Sequence, residues 1–276
     1  MSYVKKVLAV HDLSGLGRCS LSVVLPILSA MGVQAVPLPT AVLSTQTDGF
    51  EGFHFRDLTC DIIPYFEHLS SVTSFDAFYS GFLGSAEQIE KMLNVTSTLQ
   101  GKTPILIDPV MGDNGTLYST FDEDFCREMR RYVKTANLVV PNVTEASFLL
   151  EKEPKESYTK DEIKTLLSGV AKLCQGKAVI TGIKSDDTIG CVFTEDGGIT
   201  IGEVNNPSLE KHYPGTGDIF ASVMLGALMK GKGLPEAVLA ASSFVYNVMK
   251  HSMNFDYPSR EGVLLEDKLP LLMNFS

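Results

Sequence analysis

The residues best placed to do chemistry in this chain are two glycines and an acid on one short turn, Gly215-Thr216-Gly217-Asp218, directly ahead of an apolar helical run. Glycine lets a backbone take positive φ and come close to a ligand. The helix start behind it offers unpaired N–H groups and a positive dipole end. Such a turn can hold a phosphoryl group in transfer while Asp218 accepts the proton of an attacking hydroxyl. Aspartate at a helix start is also an ordinary cap, and the two uses are compatible. A second group is Asp108-Pro109-Val110-Met111-Gly112-Asp113, two carboxylates flanking a Pro/Gly turn. A third is Pro141-Asn142-Val143-Thr144-Glu145, where Asn142 and Glu145 have capping-box spacing. Each could be a plain turn or cap. Asp113 and Glu145 could also supply negative charge for Mg²⁺ through water, since Mg²⁺ is usually shared between carboxylates and substrate phosphates.

These residues need strand ends and helix starts to hold them. Apolar strand-like runs at 7–10, 34–37, 75–79, 105–107, 138–140 and 178–181 alternate with helical patterns at 21–31, 60–69, 86–99, 122–133, 159–175, 218–230 and 235–250. Ser85 with Gln88 has capping-box spacing. Residues 188–193 and 199–204, joined through Asp196-Gly197-Gly198, read as a hairpin. The alternation predicts βαβ units and a mostly parallel sheet with a small antiparallel hairpin near residues 188–204. In such a sheet ligands bind beyond the carboxyl ends of the strands, where all three motifs fall.

The chain resembles the pyridoxal (pyridoxine, pyridoxamine) kinases of the ribokinase-like superfamily. The resemblance rests on SGFLGSAEQ (80–88), DPVMGDNGTLY (108–118), VPNVTEASFLL (140–150), VITG (179–182) and GTGDIFAS (215–222). It implies a single three-layer α/β/α domain over residues 1–276 that moves the ATP γ-phosphoryl to the 5′-hydroxymethyl of a B6 vitamer. It further implies Asp218 as catalytic base, with Gly215, Thr216 and Gly217 as an anion hole. Asp108, Asp113, Asn142 and Glu145 would serve the Mg²⁺–phosphate region, Thr181 the ATP phosphates, and Tyr118 the same region. Thr47 matches a family threonine against the pyridine ring, Phe82 offers a stacking face, and one of His11, Asp12 and Ser14 would reach the ring. A homodimer is typical of the family, and a monovalent cation is an open requirement. A hydroxymethylpyrimidine kinase of the same superfamily is the alternative activity, with a sugar kinase behind it. An idle vitamer-binding regulatory protein is the alternative outside catalysis.

Composition sets outer bounds. With 23 basic and 33 acidic residues the net charge is −10, which argues against general nucleic-acid binding. Residues 19–47 carry no Asp, Glu, Lys or Arg, but Pro26, Gly32, Pro37 and Pro39 break the run, so a buried helix and strand are expected rather than a membrane span. Five scattered cysteines with no CxxC fit neither a disulfide framework nor a zinc site and suit a reduced cytoplasm.

Overall fold

The computed structural model describes residues 4–273. Its central sheet has nine strands in the order β11-β10-β9-β8-β5-β4-β1-β2-β3. The strands are β1 (Lys6–Leu16), β2 (Gln34–Thr45), β3 (Phe55–Asp57), β4 (Ala77–Ser80), β5 (Ile105–Ile107), β8 (Leu138–Val139), β9 (Lys177–Ser185), β10 (Thr188–Thr194) and β11 (Gly202–Pro207). Between them in the chain, β6 (Gly112–Asp113) and β7 (Thr116–Leu117) form a separate antiparallel pair. From β9 to β2 the sheet is parallel, and β10, β11 and β3 close its edges antiparallel.

Strands of a parallel sheet are buried on both faces, and β1 shows how. Val7 and Ala9 point into one apolar cluster, Leu8 and Val10 into the other. The first cluster is covered by α1 (Leu21–Ala30), α7 (Thr216–Met229) and α8 (Leu234–Ser252). The second is covered by α2 (Ile62–Val72), α3 (Ala86–Leu99), α4 (Glu123–Val133), α5 (Val143–Leu149) and α6 (Lys160–Leu173). A short α9 (Pro270–Met273) follows. The charge-free run at 19–47 is thus α1 and β2, and none of the described helices is long and apolar enough to cross a membrane.

Several elements depart from the sequence expectation. Strands β1 and β2 continue well past residues 10 and 37, through a shifted register between His11 and Leu13. Backbone pairing carries them where side-chain alternation has stopped. Pro37 and Pro39 are tolerated because β3 pairs with β2 only at Ala41, Val42 and Leu43, leaving the proline stretch on an open edge. The second hairpin strand begins at Gly202, not 199. Asp196 Oδ1 accepts the N–H groups of Ile199 and Thr200 at 3.0 and 2.9 Å, which folds those residues into the turn. The expected turn at 108–113 runs into the small β6–β7 ladder. Finally, α7 starts at Thr216 with Gly215 as its cap, so Asp218 stands in the first turn and does not cap the helix.

Candidate active site

The carboxyl ends of β1, β4, β5, β8 and β9 meet the starts of α5 and α7, and the acids gather there. Gly215 has φ 80°, and a Cβ on it would fall on the Arg18 carbonyl oxygen. Only glycine lets this turn press against the β1–α1 segment. That segment answers with Ser20, a non-glycine residue at φ 49°, whose N–H donates to Asp218 Oδ2 at 2.8 Å. On the other side, His11 Nδ1 lies 3.7 Å from Asp218 Oδ1. Burial pushes the Asp218 carboxyl up to about 7, opposed by the Ser20 N–H and reinforced by Asp12. A carboxylate poised near neutrality suits general-base work.

Opposite stands a second acidic group. Glu145 Oε2 accepts the Asn142 N–H at 2.8 Å and Oε1 the Met111 N–H at 3.1 Å. Asn142 Oδ1 returns the bond to the Glu145 N–H at 2.9 Å, and its Nδ2 donates to the Gly112 carbonyl at 2.8 Å. The capping box therefore forms, and it also ties α5 to the 108–113 turn. Burial pushes Glu145 up to about 8 against those N–H donors, with Asp113 adding repulsion. Asp108 is pushed well up by burial, then by Glu145 and Asp218. It is 6% exposed, and among the described residues no hydrogen bond reaches its carboxylate. Asp113 spends its oxygens on the Asn114 backbone and side-chain N–H groups at 2.7 and 3.2 Å.

This donor set fits a hydrated divalent cation. Clustered carboxyls, one of them free of hydrogen bonds, repel one another when ionised, and a cation would relieve that repulsion. Among the described residues no three His, Cys, Asp or Glu side chains form a metal cage, so such an ion would keep water and share substrate oxygens. The Tyr118 hydroxyl is raised by burial and then by Glu145, Asp113, Asp108 and Asp218, so it lies within electrostatic reach of the same acids. Thr181 lies beside Asn142 in a parallel bridge, its N–H on the Pro141 carbonyl at 3.0 Å. Gly215, Thr216 and Gly217 remain partly or wholly exposed, and a Cβ on Gly217 would lie 4.0 Å from Asp108 Oδ2.

The residues expected to meet a substrate ring are less uniformly placed. The His11 ring has no accessible surface. Ser14 is 2% exposed and its Oγ donates to Asp12 Oδ2 at 2.9 Å. Thr47 is exposed on the turn after β2, and no hydrogen bond, ion pair or ring contact joins it to the acids among the described residues. Phe82 is half-buried and lies 5.8 Å from the Phe121 ring, with Tyr118 6.5 Å from the same ring. Ser85 caps α3, but Gln88 does not complete that box. Its Oε1 accepts the Gly84 N–H at 2.8 Å and its Nε2 reaches the Thr40 carbonyl and Thr59 hydroxyl.

Asp12, also a candidate for the ring, is 5% exposed and accepts the Ser14 hydroxyl. Two participants were not singled out from the sequence. Ser20 acts through its backbone, so no residue type announces it. The second is a late strap. The Arg18 N–H and guanidinium both donate to the Glu261 carbonyl at 3.1 and 3.2 Å. Gln46 Nε2 donates to the Arg260 carbonyl, and Arg260 Nη1 donates to Gly49 at 3.1 Å. Residues 258–262 so hold down both loops beside Asp218.

A family model described as phosphomethylpyrimidine kinase matches residues 25–261. A candidate phosphomethylpyrimidine kinase from Bacteroides thetaiotaomicron, solved in a form with pyridoxal, is 40% identical. It superposes with a TM-score of 0.93 over 98% of this chain and 96% of that one. The pyridoxal kinase of Lactobacillus plantarum is 30% identical, with a TM-score of 0.90 over 98% of this chain and 97% of that one. Pyridoxal kinase PdxY of Actinobacillus pleuropneumoniae is 27% identical over 238 residues, 81% of each chain.

Proposed function

This chain belongs to the phosphomethylpyrimidine kinase family, in the ribokinase-like group that holds the pyridoxal kinases, and from that premise we propose that it phosphorylates the 5′-hydroxymethyl group of a B6 vitamer with ATP. The observation that carries the reading is Asp218, in the first turn of α7 beside the glycine turn, with the Ser20 N–H on its carboxylate and Asp108 near enough for the two acids to repel. Phosphoryl transfer is mostly positioning and electrostatic stabilisation, and this corner supplies both. Asp218 takes the proton of the attacking hydroxyl as the new O–P bond forms and the bond to ADP breaks. The N–H groups of Gly215, Thr216 and Gly217 face the oxygens of the transferring group. Asp108, Asp113, Asn142 and Glu145, with Tyr118 and Thr181, hold the nucleotide's phosphate end. Mg²⁺ would supply charge neutralisation there, near Asp113 and Glu145. Phe82 and Thr47 would bound the vitamer ring, with Ser14 as a candidate polar contact to it.

The presence of pyridoxal in a 40% identical relative favours a B6 vitamer. The family description favours a hydroxymethylpyrimidine as the second reading. Measuring ADP release with pyridoxal, pyridoxine, pyridoxamine and hydroxymethylpyrimidine separates them. Highest kcat/KM on a B6 vitamer is expected; preference for the pyrimidine overturns the assignment, and no ADP release with any of them indicates a binding protein. Asp218→Asn should lower kcat by about 10²–10⁴-fold with little change in the KM for ATP. Turnover near that of the parent would remove Asp218 as the base.

We also propose that the chain forms a homodimer. Leu13, Leu16, Val42 and Phe55, each 37–45% exposed at the projecting ends of β1, β2 and β3, give an apolar surface for a second copy.

A further inference from the structure

His11 is the least explained side chain beside the acids. Its ring is fully enclosed. The edge of Tyr79 packs against it, with ring centroids 4.4 Å apart at 72°. On another side Gly81 leaves it room, since a Cβ there would overlap the imidazole. Yet neither ring nitrogen has a hydrogen-bond partner. A buried imidazole with both nitrogens idle is unfavourable, and an apolar residue would fill the same space without that cost. The nearest carboxylate is Asp218, whose Oδ1 lies 3.7 Å from Nδ1, a few tenths of an ångström beyond a hydrogen bond. Asp218 Oδ2 is already occupied by the Ser20 N–H. The contact would thus close a pair of donors, one on each carboxylate oxygen.

We propose that His11 is a positioning residue for Asp218: its Nδ1–H donates to Oδ1 and, with the Ser20 N–H on Oδ2, fixes the carboxylate plane so that a lone pair stays turned to the reacting hydroxyl. The ring does not need to touch the substrate or exchange a proton. Burial lowers its own basicity to about 3, so it stays a neutral donor through the working range of pH. Glycine at position 81 belongs to the same device, because it lets the imidazole sit deep enough to approach Asp218 from behind. The proposal rests on the reading of Asp218 as the base.

His11→Leu and His11→Gln test it. With Leu, kcat should fall about 10–100-fold, the scale of a misaligned catalytic group. KM for pyridoxal and for ATP should stay within about threefold. Gln, which keeps a donor, should recover part of kcat. The other ionisable groups facing Asp218 are Asp12 from β1, Cys19 from the β1–α1 segment, Tyr79 from β4, Asp108 beyond β5 and Tyr118 after β7. These stay in place in the Leu variant, so loss of one donor to the charged carboxylate should move the acid limb of kcat to higher pH. Unchanged kcat with an unmoved limb overturns the proposal. So does a raised KM for pyridoxal with kcat intact, which would mean that the ring meets the substrate.

Nitrogen-15 NMR of the parent protein gives a readout independent of both variants and turnover. His11 should be neutral and protonated at Nδ1; protonation at Nε2 alone overturns the proposal. If Asp218→Asn keeps turnover, the base reading fails, while the tautomer still reports whether His11 donates to residue 218.

Discussion

Enclosure raises the Asp218 carboxyl to about 7 from an ordinary 3.8, so its titration couples to turnover and to folding with opposite signs. A base must be unprotonated, so kcat should fall as pH drops through about 7. The folded state favours the protonated acid more than the unfolded state does. Its stabilising contribution is therefore complete below 3.8 and is lost as pH rises through about 7. Thermal melting of the ligand-free protein should therefore decline over the window in which activity climbs. A melting temperature that rises steadily from pH 4 to 7 would contradict the assigned shift. The acids of the site were readable from residue type and motif: Asp108, Asp113, Glu145 and Asp218 fall where the strand ends place them. Ser20 and the enclosure of His11 were not, because one acts through backbone geometry and the other depends on Tyr79 and Gly81, which lie far along the chain.

Helix starts were legible because capping is a conversation between near neighbours. Ser85, Asp122, Asn142 and Thr159 each accept an N–H three residues on. Strand length was less legible, since β1 and β2 lengthen by pairing with each other across an intervening helix, without apolar alternation to mark it. Gln88 illustrates the limit at this scale. The spacing pointed to its own helix cap, while the amide joins α3 to β2 and to the turn before α2. It is fully buried, so Gln88→Ala should cost at least about 2 kcal/mol by urea unfolding, because buried partners left unpaired lose roughly 1–3 kcal/mol each. The start of α7 yields a second expectation. Gly215→Ala meets both a positive φ and the Arg18 carbonyl. It should destabilise the protein by more than about 1 kcal/mol and lower kcat, since Asp218 rides on that turn. An unfolding midpoint matching the parent's would show that the turn can relax.

Across the whole molecule, the alternation of strands and helices foretold the mostly parallel sheet and the family resemblance its layers, and the β1–β3 projection was the part neither foretold. If that projection carries the dimer, sedimentation velocity should show a two-chain species, and Leu16→Glu should shift it to the single chain with the melting temperature little changed. A parent that sediments as one chain at micromolar concentration would rule the dimer out. The strap at residues 258–262 has another consequence, for synthesis. Arg18 leaves the ribosome well before its partner Glu261, which follows 243 positions later. The nascent chain can assemble its central strands early, since domains generally begin to fold from the N-terminal side during translation. Its two site loops remain unfastened until translation has passed the strap. Chains arrested before that point should be folded in part and catalytically silent, so activity counts chains that carry the strap rather than folded mass.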